Sequence, residues 1–272
     1  MREFSRWIAL FVILVTASVA WLTLGSVMLV RTESTETDLR GAVSGLWGEA
    51  LVQPAPDLVF EWQTSERRTE LTGPADAQVS REVIERVSHQ RALQPDATAI
   101  EVAVDDDVRR KGLMWFPMYD LDFSGTWSVT HPGPESGVLH VRWRFPSADG
   151  YYDDFRLAID GVEVQSGEGW GQVLDVPIPV TEGQTVQIAA TYKSRGQESF
   201  VYRPGEGVVP LRDFSLTVKT DFSDIDYPGS AMSPSERRAE NGGWALDWKF
   251  ERLVTGRTMG VVVPSPIQPG PL

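Results

Sequence analysis

Three stretches concentrate carboxylates: Asp105 to Asp107, the pair Asp153 and Asp154 in "YYDD", and Asp221, Asp224 and Asp226 in "TDFSDID". Hard cations need several oxygens from one compact loop, so each stretch is a candidate for Ca²⁺. None follows the EF-hand spacing, and only the third gathers three carboxylates in what reads as one loop. Solvated turn carboxylates are the simpler reading, and no metal or cofactor is expected. His89, His131 and His140 lie far apart, without the closely spaced pair that zinc sites use, so zinc is not expected. The chain has no cysteine, which removes disulfides, thiol nucleophiles and cysteine metal clusters. It also lacks Gly-x-Ser-x-Gly and any glycine pattern that cradles a nucleotide. No catalysis is expected.

The chemistry left is recognition. Trp115, Tyr119, Tyr151, Tyr152 and Trp170 lie near polar or turn-forming residues, where an aromatic ring either stacks on a sugar or fills a core. These five are the candidate docking residues, and Trp170 in "SGEGWGQ" is expected to be the most exposed. Trp244 and Trp248 share one strand face with Leu246 and Phe250, which points to core instead.

Elements must hold these residues in place, and the strongest signal among them is Ile8 to Val30, 23 positions without a charge. At about 1.5 Å per residue that run matches a hydrocarbon core of roughly 30 Å. A cleaved signal peptide is the rival, with "MREFSR" before the apolar run and Ser18, Val19 and Ala20 before a cut. The run continues ten residues past that point, which favours a retained anchor. Arg2 and Arg6 precede the segment while Arg31 and Arg40 follow it, and the expected orientation is a cytoplasmic N-terminus. Formal net charge is -13, with the first 30 residues at +1. The acidic body repels nucleic acid and anionic lipid headgroups, so no nucleic-acid partner is expected.

Residues 1–34 therefore read as a cytoplasmic N-terminus and transmembrane anchor. Residues 35–99 read as a helical or mixed juxtamembrane region, with one helix from Glu36 to Trp47 and a short strand from Leu58 to Trp62. A second helix is expected over "SREVIERVSHQRAL", where Ser80 can cap and Val83, Ile84, Val87 and Leu93 share a face. From Ile100 the period becomes two, in short runs such as "VLHVRWRF", "FRLAIDGVEV", "VQIAATY" and "WALDWKF". Asp160-Gly161 signals a two-residue hairpin. The fold class is thus mainly β: an N-terminal transmembrane helix, short helices, then an antiparallel β-sandwich-like domain over 100–263, with a Pro-rich segment at 264–272.

Two stretches carry a resemblance. "RRKGLMWFPMYDLDFSG" and "DFSDIDYPGSAMSPSERRAENGGWALDWKFERLVTG" are similar to segments of CreD-like inner membrane proteins, and "LRGAVSGLWGEALVQPAP" resembles that family's helix after its first membrane span. The resemblance implies a bacterial inner membrane protein with a large periplasmic β-rich domain, associated with cell-envelope integrity. It implies no catalytic residues. Family members continue into several further membrane helices, so "PSPIQPGPL" reads as a lead-in. The sequence is then that of a shortened relative with one anchor, or a piece of a longer protein. The expected function is a membrane-anchored periplasmic interaction or scaffold module, with Ile8 to Val30 in the lipid bilayer and other envelope proteins or glycans as partners. A lectin-like β-sandwich that binds glycans or other ligands is the alternative, and a jelly-roll glycoside hydrolase a third.

Overall fold

A computed structural model describes residues 7, 10–27, 49–72, 79–111, 114–165 and 171–265. The chain divides into two units, Met1–Trp47 and Gly48–Leu272. The expected helix from Glu36 to Trp47, and Trp170, lie outside the described residues.

In the first unit, Leu10–Val27 is one helix, long and apolar enough to cross a membrane, and equally suited to a signal sequence. Three of its hydroxyls, on Thr16, Thr23 and Ser26, bond back to its own backbone. Thr23 Oγ1 bonds to the carbonyls of Val19 (3.0 Å) and Ala20 (2.9 Å), and Ser26 Oγ to that of Thr23 (2.9 Å). A polar side chain in hydrocarbon has no other partner nearby, so this back-bonding suits an apolar surrounding.

The second unit is a β-sandwich, its strands numbered here in chain order. The larger sheet runs β10 (Val162–Glu163), β9 (Asp153–Ile159), β12 (Thr185–Gln197), β7 (Met118–Thr130), β4 (Ala97–Asp106), β14 (Val209–Thr220), β16 (Gly243–Thr255) and β15 (Glu236–Glu240). The facing sheet runs β11 (Val173–Val180), β8 (Gly137–Arg144), β2 (Asp57–Thr72) and β3 (Val79–Leu93). A third sheet joins β1 (Leu51–Pro54), β13 (Ser199–Arg203) and β17 (Met259–Val262), and β5 (Arg109–Lys111) pairs with β6 (Met114–Phe116). Pairing is antiparallel except between β4 and β14 and between β1 and β13.

Strict alternation builds the core. Along β7, Leu121, Phe123, Trp127 and Val129 point in while Asp120 and Asp122 point out. Trp143, on β8 of the smaller sheet, is the wedge between layers. Its ring lies 5.6 Å from Trp127, 6.2 Å from Phe123, 6.0 Å from Phe155 and 6.5 Å from Tyr192, all on the larger sheet. The Asp160-Gly161 turn forms as expected, with φ of 50° and 78°. A second such turn, not anticipated from the sequence, sits at Asn241-Gly242 (φ 49° and 89°) between β15 and β16.

One expectation fails. The segment read as a helix from Ser80 to Leu93 is strand β3, paired with β2 without interruption from Leu58↔Leu93 to Thr72↔Val79. Val83 and Val87 are four apart, so they satisfy the helical period and the strand period alike. The β-branched residues Val79, Val83, Ile84 and Val87 and a long partner strand decide for the ladder. The strand expected at Leu58 to Trp62 correspondingly extends to Thr72. The described part of 35–99 from Leu51 onward is therefore sheet, joined to β8 and β13. Since β8 pairs with β2 only from Asp57 to Glu61, both strands continue past the sandwich as a two-stranded ribbon. At about 3.4 Å per residue the ribbon is roughly 35 Å long.

The edge strand β15 is pinned by a buried carboxylate. Asp247, 1% exposed, accepts hydrogen bonds from Thr217 Oγ1 (2.7 Å) and Arg238 Nη2 (2.7 Å), with Lys249 Nζ at 3.4 Å. Burial pushes its pKa up, but the bonds from Thr217 and Arg238 and the charge of Lys249 outweigh this and hold it below the ordinary carboxylate value. A depressed folded-state pKa adds stability above the unfolded carboxylate range, and that stability is lost as pH falls through the folded value. Asp247→Asn should thus be less stable than the parent near neutral pH, with the gap closing as pH falls through and below the ordinary carboxylate range. Urea midpoints across that range measure it.

Candidate functional site

Arg144 closes strand β8 beside the start of β2, where Asp57 pairs with Arg142. Its guanidinium donates to the Asp57 carboxylate and, through Nη1, to Glu206 Oε1 at 2.9 Å. The bond to Glu206 holds the guanidinium pKa above its usual value against the opposing effect of burial, with Asp57 adding to the upward side. Below it, Gln53 is fully buried and donates to the carbonyls of Pro54 (2.7 Å) and Arg144 (3.3 Å) while accepting from Tyr192 OH at 2.8 Å. The core thereby fixes the backbone that presents Arg144.

Two hollows flank this side chain, of about 350 Å³ and 430 Å³. They share Ala55, Asp57, Arg144, Gly205 and Glu206. Leu58, Leu93, Pro95 and Val209 wall the first, and Val52, Phe145, Pro146 and Val173 wall the second. Polar side chains, Arg142 and Gln94 in the first and Arg203 and Gln172 in the second, complete the linings, and apolar residues beside a few fixed charges are what a binding cleft uses. Sequence reasoning did not find this site, because Asp57, Arg144 and Glu206 come from three distant stretches and no local spacing links them.

A third hollow of about 290 Å³ holds Asp105, Asp120, Asp122 and Asp153 with Lys193, Arg195 and Tyr151. Arg195 Nε donates to Asp120 at 2.6 Å, and Lys193 Nζ lies 3.6 Å from Asp122. Burial first, then the charges of Asp221, Asp120 and Asp122, raise the pKa of Asp105. Asp106 is raised by burial and by Asp221 and Asp107, while its backbone N–H donates to Asp221 Oδ1 at 2.8 Å. Asp221 is thus tied to β4, whereas Asp226 accepts from the Tyr227 backbone N–H at 2.8 Å. Among the described residues no three acidic or histidine side chains converge as a metal would require.

The four aromatic candidates among the described residues, Trp115, Tyr119, Tyr151 and Tyr152, do not form one surface. Tyr119 is fully buried and donates to the Ser199 carbonyl at 2.6 Å, and burial pushes its phenol pKa well up. Tyr152 is half-buried: its hydroxyl donates to the Ser147 carbonyl and accepts from the Ser147 N–H, both at 2.8 Å, and burial pushes its pKa up to about 12. Tyr151 is exposed and edges the acidic hollow, with the Arg195 guanidinium 5.9 Å from its ring. Trp115 is exposed on β6, 5.7 Å from Arg110. Trp248 is core, as expected, its Nε1 donating to the Met232 carbonyl at 2.8 Å. Trp244 packs at the core margin beneath Arg237, 3.6 Å from its ring.

The histidines are all engaged within the fold. His89 stacks on Trp62 and bonds Thr64 Oγ1 at 2.8 Å. His131 lies tilted against Phe60 (ring centroids 4.0 Å) with Nε2 2.6 Å from the Glu135 carbonyl, and His140 Nδ1 lies 3.0 Å from Asp175 Oδ1.

No family model matches the chain, and no curated protein matches it. Among solved structures it is similar to a Legionella pneumophila protein provisionally named a nutrient binding protein. The two share 11% identity over 62% of this chain and 68% of that one, at a TM-score of 0.38.

Proposed function

We propose that this chain is an interaction module of the bacterial envelope, held in the inner membrane by its N-terminal helix with the β-sandwich on the periplasmic side. The cleft around Arg144 is its docking site. The observation that carries this reading is the pair of hollows divided by one clamped guanidinium. Side chains two apart on an extended strand lie about 7 Å apart on one face, which suits neighbouring hollows separated by a single residue. The proposed partner is an extended segment of an envelope protein, with apolar side chains in the hollows and a basic residue facing Asp57 and Glu206. The acidic body draws such a segment in. The CreD-like stretches support the envelope assignment; they span the β5–β6 hairpin with β7, and the loop before β15 with β15 and β16.

Photo-crosslinkers at Leu93 and Val173, one in each hollow, test this in intact cells. Both should capture the same envelope protein, in adducts that stay in the membrane pellet after alkaline carbonate. Glu206→Lys, which sets a like charge against the partner's basic residue, should cut capture about tenfold or more. Recovery of uncrosslinked chain alone, or release of the full-length chain by carbonate, would overturn the proposal. A glycan-binding role is the second reading, favoured by exposed Tyr151 beside Asp120, Asp153 and Arg195. It requires that Tyr151→Ala abolish retention on immobilised cell-wall glycan.

A further inference from the structure

The ribbon formed by β2 and β3 beyond the sandwich leaves a long strand edge open. β3 is the outermost strand of its sheet and pairs only with β2 among the described residues. Unpaired edge N–H and C=O groups are a template for another strand. Natural proteins usually blunt such an edge with a bulge, a proline or charged side chains, and of these β3 carries the charges alone. β3 has no proline, and its register with β2 is continuous over fifteen pairs.

The residues along this edge are complementary to themselves. Two copies related by a two-fold axis perpendicular to the sheet pair antiparallel, each residue facing one of the same parity. With the axis at Ile84, the two Ile84 side chains meet and Glu82 of each copy faces Arg86 of the other. Ile84 is 68% exposed in the single chain, and Glu82 and Arg86 are also exposed. Within their own ribbon, Glu82 and Arg86 face the neutral Thr69 and Ser65, and neither makes an ion pair among the described residues. Axes at Glu85 or Arg86 would set like charges against themselves. An axis at Val83 would draw on Glu85, which Arg68 already approaches at 3.8 Å.

We infer that β3 is a self-association edge, across which two copies of this chain join their ribbons into one antiparallel sheet centred on Ile84. The partner is a second copy because only a strand with the same Glu-x-Ile-x-Arg order, run in reverse, matches each charge and the apolar centre together. The inference is independent of the Arg144 cleft.

Because the chain lacks cysteine, single-cysteine variants of the full chain in detergent or bilayer discs report the pairing directly. Under mild oxidation by copper phenanthroline, Ile84→Cys should form disulfide-linked dimers rapidly. Gln90→Cys, whose two copies would lie about 40 Å apart, should not. Glu82→Arg or Arg86→Glu alone should weaken dimerisation about tenfold, and the double exchange should restore it. Glu82 and Arg86 are exposed, so each single variant should keep the parent's circular dichroism spectrum, which shows that it folds. Absence of Ile84→Cys dimers, faster linkage through Val83→Cys, or failure of the double exchange to restore association would each overturn the inference.

Discussion

Trp143→Ala should cost about 3–5 kcal/mol of unfolding free energy, the range for deleting a buried tryptophan. Two things place it high in that range. The side chain is wholly inaccessible, and its ring touches Phe123, Trp127, Phe155 and Tyr192 on three different strands of the opposite sheet. Sheets about 10 Å apart are kept at that spacing by every other inward residue, so the walls cannot collapse into the space one ring leaves. A whole domain is stable by only about 5–15 kcal/mol, so much of the variant should accumulate unfolded or be degraded. Guanidinium midpoints of the two proteins give the difference. Trp115→Ala, at an exposed ring, should change stability by less than about 1 kcal/mol in the same assay.

Gly243→Ala should destabilise by about 3 kcal/mol or more, at or beyond the top of the usual overpacking range. A Cβ at this position would stand 1.9 Å from the Thr220 carbonyl oxygen and 2.5 Å from its carbon. Both atoms are backbone, at the end of β14 where Thr220 pairs with Trp244, so no rotamer can relieve the contact. The strands must separate locally, losing the bond from the Trp244 N–H to Thr220 Oγ1 and disturbing the turn that carries β15. Gly229→Ala is the control, since no atom lies within 4 Å of its Cβ, and it should stay within about 0.5 kcal/mol. Equal thermal midpoints for the two alanine variants would refute the steric argument.

The same contrast separates what can be read locally from what cannot. The sequence by itself determined the apolar N-terminal helix, the alternation that makes β8 and β12 half-buried strands, and the Asp160-Gly161 turn. The Asn241-Gly242 turn carried an equally plain signal. Each is set by neighbours within a few residues, through side-chain period or a demand for positive φ. Tertiary structure completed the choice of strand for Ser80 to Leu93, because Val83 and Val87 fit either period and pairing with β2 adds to the lean of their β-branched side chains. It also decided that Tyr119 is buried under the Ser199 carbonyl, and that Asp57, Arg144 and Glu206 meet. Such outcomes depend on which strands pair and in what register, and the energy that selects them is shared between residues up to about 150 positions apart, beyond the reach of any local pattern.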